Sequence, residues 1–193
     1  MLQELILKNR SYRRFYQEHE ITKSELINFI DMARLSPSPR NQQALKFIIS
    51  CEKQKNNKIF ETLSWAGAIQ NWDGPEEGDK PSAYIIILGD NDIVPSGKNS
   101  FNEAAYGIAA QTILLAAVEK ELGGCMIAAI KKNILRKELE IDTKYEILLV
   151  LAIGKPKENI TLVEMEDDDF SYYRDENQNH FVPKRKLDDI ILT

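Results

Sequence analysis

The chain has 193 residues, with 25 Lys and Arg against 30 Asp and Glu, a formal net charge of -5. That length is a single domain (residues 1–193) by the usual prior, large enough for a hydrophobic core without disulfide or metal staples. The acidic balance disfavours generic binding to nucleic acid or an anionic membrane, while leaving room for a local cationic site, and two histidines exclude a multi-histidine metal centre. Cys51 and Cys125 lack any CxxC or metal spacing and read as buried free thiols.

In chain order, Leu2–Lys8 places Leu2, Leu5 and Ile6 on one helical face, too short and too acidic for a secretory leader, so a cytoplasmic location is expected. The run Asn9-Arg10-Ser11-Tyr12-Arg13-Arg14-Phe15 follows, with three arginines in five positions. Thr22-Lys23-Ser24-Glu25 has the pattern of a capping box. It opens a helix predicted to bury Leu26, Ile27, Ile30 and Ala33 and to end near Leu35, before Ser36-Pro37-Ser38-Pro39 forbids continuation.

Leu45–Cys51 is dense in strand formers, and Lys53–Leu63 reads as a helix burying Ile59, Phe60 and Leu63. Ala66–Pro81 is a glycine- and proline-bearing loop carrying Trp72, of a length that often borders a site. Ala83–Gly89 and Ile147–Gly154 are apolar without alternation, the mark of strands buried on both faces. Between them, Ala104–Val118 is apolar or small almost all the way round, which predicts a helix covered on several sides. The run of about 15 residues is shorter than the roughly 20 a bilayer needs, and its alanines suggest close approach of a second subunit.

Gly123–Ala128 reads as a short strand and Lys131–Leu139 as a short helix. The alternation of helix and strand implies a sheet with helices on its faces. From about residue 157 the character changes: Glu164–Asp169 is acidic and reads as a solvated loop, and Phe181–Leu187 is basic. This terminal arm has little core of its own and needs a surface to lie on.

No GxSxG, HExxH, GxGxxG or Walker lysine loop is present, so no side-chain nucleophile or common nucleotide cradle can be assembled. Any reactive group would be borrowed. The residues at 9–15, the Ala-Arg-Leu-Ser-Pro-Ser-Pro-Arg-Asn-Gln-Gln at 33–43, the Leu-Gly-Gly-Cys-Met-Ile at 122–127, the Ala-Ile-Gly-Lys-Pro at 152–156 and the late Lys184-Arg185 together resemble the FMN-dependent nitroreductase family.

That resemblance implies an α+β fold with a central mixed or antiparallel sheet flanked by helices, and a homodimer whose C-terminal arm extends onto the partner subunit. It implies FMN at the subunit interface, NAD(P)H as reductant, and a nitroaromatic, quinone or similar small molecule as electron acceptor. A non-catalytic, flavin-sensing protein on the same fold is the alternative. Carried over by motif, Arg10 and Ser11, joined by Lys184 and Arg185, would hold the FMN phosphate. Arg13 would approach the pyrimidine edge and support the reduced flavin. Pro37, Ser38 and Pro39 would line the ring from the other subunit, Asn41 and Gln43 would bond flavin or ribityl oxygens, and Ile127 and Ala128 would lie beside the ring. No metal and no side-chain acid or base is implied. Asn9 stands where many members have arginine, Ala44-Leu45 where many have Pro-Trp, and Ile-Ala-Ala follows Met126 where others show Gly or Glu. These departures imply a substrate pocket unlike that of the best-known nitroreductases.

Overall fold

A strand apolar on both faces must have neighbours on both edges and cover above and below, and the last long strand of this chain has all four. The computed structural model describes every residue except 68, 70, 71, 96–99 and 193. Its elements run α1 (Leu2–Lys8), β1 (Phe15–Tyr16), α2 (Lys23–Arg34), β2 (Leu45–Ser50), α3 (Lys53–Phe60), β3 (Ala83–Asp90), α4 (Ser100–Glu119), β4 (Gly123–Ile127), α5 (Lys132–Glu138), β5 (Tyr145–Pro156), β6 (Ile160–Glu164), β7 (Tyr173–Arg174) and β8 (His180–Lys184). Strand β5 is the shared one. It pairs antiparallel with β3, with β4 and, at its far end, with β1, while β2 pairs antiparallel with β3. Among the named strands the central sheet is therefore antiparallel, with helices on both faces, the α+β arrangement expected from the sequence.

The two faces carry separate cores. Ala83, Ile85 and Ile87 of β3 and Leu149, Leu151 and Ile153 of β5 pack under α2 and α4. Tyr84, Ile86 and Leu88 with Ile147, Val150 and Ala152 pack with Ile59 of α3 and Leu135 of α5. A register shift between Ile87 and Leu88 lets β5 skip one residue, which is why odd-numbered Ile147 shares a face with even-numbered Val150 and Ala152. Such a bulge reverses parity in one strand without breaking the sheet.

Helix α2 begins as its sequence directs: the Glu25 amide donates to Thr22 Oγ1 at 3.3 Å and the Thr22 amide to the Glu25 carboxylate at 2.8 Å. Its buried face is Leu26, Phe29 and Ala33. Ile27, expected inside, is 51% exposed, because the helix meets α4 and the sheet one position round from the stripe that apolar spacing suggests. In α4, residues from Ile113 to Val118 are largely buried, but Ala104, Ile108 and Gln111 are exposed. The all-round cover expected of this helix is thus incomplete along one stripe of its first half. Of the two thiols, Cys125 is buried and Cys51 only half-buried. No helix among the described residues is long and apolar enough to cross a membrane.

Two glycines let the N-terminal segment lie flat against the sheet. Ser11 bridges to Gly124 and the Tyr12 amide donates to the Gly124 carbonyl at 3.1 Å, with the Tyr12 ring over Gly123. Further along, Phe15 is fully buried against Gly154, where an added Cβ would come within 2.7 Å of the ring. The acidic and basic stretches after Pro156 form a second sheet, β6 parallel to β8 and β8 antiparallel to β7. No strand is expected here from the sequence, the stretch reading by its charged and polar composition as an arm with little core of its own, and proline within a strand is confined to places where its missing donor is not needed. Strand β7 reaches only as far as Phe181, so Pro183 lies where β8 has a single strand neighbour.

Gly154→Ala is expected to destabilise the protein by about 1–3 kcal/mol, the usual range for overpacking a filled core, measured by chemical denaturation. An unchanged midpoint would mean that Phe15 does not fix the segment.

Candidate functional site

The sequence places cations at 10, 13 and 14 near one end of the chain and at 184–186 near the other, and the fold brings part of each group together. Asn9, Arg10, Ser11 and Arg13 line a cavity of about 290 Å³ whose remaining walls are Tyr172, Val182 and Lys184. Three cations and no carboxylate face this space in a chain of net charge -5. Arg10 Nη2 donates to the Ile6 carbonyl at 2.8 Å, while its buried Nε has no hydrogen-bond partner. An unmet buried donor in a cationic cradle suits a ligand carrying acceptor oxygens. The FMN phosphate is such a group, so the residues present fit it.

Arg13 is fixed at three points. Its amide donates to Glu158 Oε1 at 2.5 Å, its Nη1 to the Ser11 carbonyl at 3.2 Å, and its guanidinium sits 4.7 Å from the centre of the Tyr172 ring. The second oxygen of Glu158 accepts from Arg174 Nη2 at 3.1 Å and lies 3.6 Å from His180 Nδ1, the latter too long for a hydrogen bond. Arg174 in turn stacks over Trp72 at 4.5 Å, and Tyr172 packs on His180 at 5.5 Å. Burial by itself would raise the Glu158 carboxyl, but His180, the Arg13 amide and the Arg174 guanidinium together outweigh it and hold the group below its usual range. Burial pushes the Cys125 thiol up, so it is a poor nucleophile.

The other expected residues lie elsewhere. Pro37, Ser38 and Gln43 border a smaller cavity of about 90 Å³ with Ala44, Leu45, Phe47 and, from α4, Ala105, Ile108 and Ala109. The two cavities share no lining residue. Pro39 and Asn41 form a 3-10 turn beside the second one. Within this loop Arg40, Asn41 and Gln43 have φ of 53°, 54° and 51°, left-handed values that side chains other than glycine rarely adopt. The Gln43 amide donates to Ser38 Oγ at 3.3 Å and the Asn41 amide to the Ser38 carbonyl at 2.9 Å, holding the loop closed. Ile127 is buried at the end of β4, and Ala128 is exposed just beyond it. Neither borders either cavity.

Arg185 does not face the cationic cavity. It pairs with Asp168, and Lys186 pairs with Glu164 at 2.8 Å, so the acidic run has charge partners as well as solvent. Tyr172, Val182 and Glu158 were not visible as site residues. Glu158 is one of 30 acidic residues in no motif, and only its burial (8% exposed) and its three contacts single it out. Trp72 was flagged through its loop, whose residues 68, 70 and 71 lie outside the described set.

A model of the nitroreductase family matches residues 6–155. The chain belongs to the nitroreductase family. A Bacillus subtilis (strain 168) relative named "Putative NAD(P)H nitroreductase MhqN" is 20% identical over 189 residues, covering 79% of this chain and 87% of its own. Among solved structures, a nitroreductase family protein from Streptococcus pneumoniae TIGR4 superposes with a TM-score of 0.73 at 19% identity, covering 100% of both chains. An FMN-dependent nitroreductase from Clostridium difficile R20291 gives 0.63 at 24% identity, covering 85% of this chain and 91% of its own. At these identities the structural likeness carries the fold. Family membership places the protein among flavin-dependent oxidoreductases in the general sense. The matched stretch stops short of Tyr172 and Lys184, whose place at the cavity rests on geometry, and of Glu158, which holds the Arg13 backbone.

Because the folded-state pKa of Glu158 lies below its ordinary 4.5, the stability it contributes is complete above about that pH and is lost as pH falls through the lower folded value. Stability measured by urea unfolding from pH 6 downward is expected to decline over that window, and the double variant Glu158→Met with Arg174→Met, which removes both charges of the buried pair, is expected to flatten the decline. Parallel curves for both proteins would show that Glu158 is not the responsible group.

Proposed function

We propose that this protein is an FMN-dependent NAD(P)H oxidoreductase that acts as a homodimer on a nitroaromatic, quinone or similar small acceptor. The observation that carries the reading is the cationic cavity: Arg10, Arg13 and Lys184, drawn from opposite ends of an acidic chain, line one space together with Ser11 and no carboxylate. A phosphate dianion calls for several charge-assisted donors, and guanidinium supplies a planar fork for two of its oxygens. Arg10, Ser11 and Lys184 would hold the phosphate. When bound, FMN would supply the redox centre, accepting a hydride from NAD(P)H and passing electrons on to the acceptor.

Arg13, an always-charged side chain, would stabilise the negative charge that reduction brings to the pyrimidine end. Pro37, Ser38, Pro39, Asn41 and Gln43 would serve as the ring-side wall, given by one subunit to the site of the other. The separation of the two cavities within one chain supports that division, since a site made from a single chain would require them to merge. Ala104 and Ile108 of α4 are exposed, and Ile108 borders the second cavity, which supports the same division. Leu187, Ile190, Ile191 and Leu192 of the arm are also exposed, the last at 96%, and would find cover on a partner.

The purified protein is expected to be yellow, or to become so with added FMN, and to be bleached by NAD(P)H and recoloured by a quinone. A protein that takes up no FMN overturns the reading, and one that binds flavin without acceptor-dependent NAD(P)H oxidation is a sensor instead. Lys184→Ala and Arg10→Ala are each expected to raise the FMN dissociation constant about tenfold to hundredfold, the range for losing one hydrogen bond to a charged group. Arg185→Ala, whose partner is Asp168, is expected to change it less than threefold.

A further inference from the structure

Arg13 lines the cationic cavity, but its backbone is held by a residue that no motif includes. Glu158 is buried, with its side chain only 2% exposed, and each of its oxygens grips a different part of the protein. Oε1 takes the Arg13 amide at 2.5 Å. Oε2 takes Arg174 of β7 at 3.1 Å, two residues from Tyr172, the ring under the Arg13 guanidinium. One carboxylate thus sets both the main chain of Arg13 and strand β7, which begins immediately after the Tyr172 ring on which the Arg13 side chain rests. Resting on the flavin reading above, we propose that Glu158 is a positioning residue for Arg13: it fixes the cation relative to the arm, and through it the reduction potential of the bound flavin.

The alternative is that Glu158 and Arg174 are a buried ion pair that only stabilises the arm. The two differ in what they change. A structural pair alters folding and overall affinity, whereas a positioning residue alters the interaction of one cation with the charge that reduction creates, and so alters a potential measured on fully loaded protein. Position matters because the interaction of two charges falls with their separation and is strongest where water is excluded. An arginine free to swing into solvent would lose most of that effect.

Glu158→Gln leaves the buried Arg174 without a counter-charge, a change that can prevent folding. The double variant Glu158→Met with Arg174→Met removes both charges together, a replacement that buried pairs often tolerate, and deletes the acceptor for the Arg13 amide. Far-UV circular dichroism and a cooperative melt establish that it folds. At saturating FMN, its flavin midpoint potential is expected to shift to more negative values, in the same direction as Arg13→Ala. Adding the pair of changes to the Arg13→Ala protein is expected to give no further shift, because the two act through one group. An unchanged potential in the folded double variant overturns the inference, as does a shift that adds in full to that of Arg13→Ala. Failure of the wild-type protein to take up FMN overturns the flavin reading itself, a distinct outcome.

Discussion

The segment from Arg10 to Phe15 must cross the end of the sheet at backbone contact distance, and this constraint shapes everything at the site. The crossing is possible because Gly123 leaves room for the Tyr12 ring and Gly154 for Phe15. Bridged at Ser11 to β4 and paired at Phe15 to the end of β5, the segment is held at both ends. Residues in between cannot shift without breaking a strand contact. Arg10 and Arg13 are therefore presented from a rigid element, although they sit in what the sequence shows only as a basic turn. Precision of this kind is what an anion site needs, since the gain from a cation depends on its being placed before the ligand arrives.

Much of the frame was legible because local rules and long-range packing agree there. Thr22 and Glu25 cap α2 as their spacing directs, the prolines at 37 and 39 end it, and the apolar runs at 83–89 and 147–154 became the buried middle of the sheet. Ile27 misled because apolar spacing gives a stripe without saying which neighbours will cover it. Glu158 and Tyr172 were invisible for a different reason. Their roles come from contacts across 145 residues in one case and from an aromatic face beneath a guanidinium in the other, neither of which leaves a periodic trace. The family resemblance grouped Arg185 with Lys184, yet successive strand residues point to opposite sides. Lys184 turns to the cavity and Arg185, just past the end of β8, meets Asp168.

The arm illustrates how a polar stretch acquires structure. Read alone, residues 157–184 lack the apolar content to form a core, and the second sheet has little beyond the fully buried His180 as an interior. What it has is charge in the right places: Glu158 with Arg174, Arg14 with Gln178 at 2.9 Å, and the face of Trp72 shared by Arg14 and Arg174. Pairs of this kind contribute little on an exposed surface, but Glu158 and Arg174 are buried, and Glu158 ties them to the N-terminal run through the Arg13 amide. The arm is fastened to the residues whose cavity it completes, so its order and the order of the site are coupled.

The loop at 38–43 applies the opposite logic. Left-handed conformations at residues other than glycine cost on the order of 1–3 kcal/mol each and persist where the surroundings over-determine them. Here three occur within four residues, although asparagine tolerates the conformation better than most. The Ser38 bonds to Asn41 and Gln43, together with the Ser36 hydroxyl against Thr112 of α4 at 3.0 Å, supply that over-determination. A connection between a helix and an edge strand could be made without strain by placing glycine at these positions. That the chain instead carries Arg40, Asn41 and Gln43 there implies that the side chains have a use where they stand. Because the loop borders the small cavity beside Ile108 of α4, the proposed homodimer would put that use at the boundary between one subunit and the next.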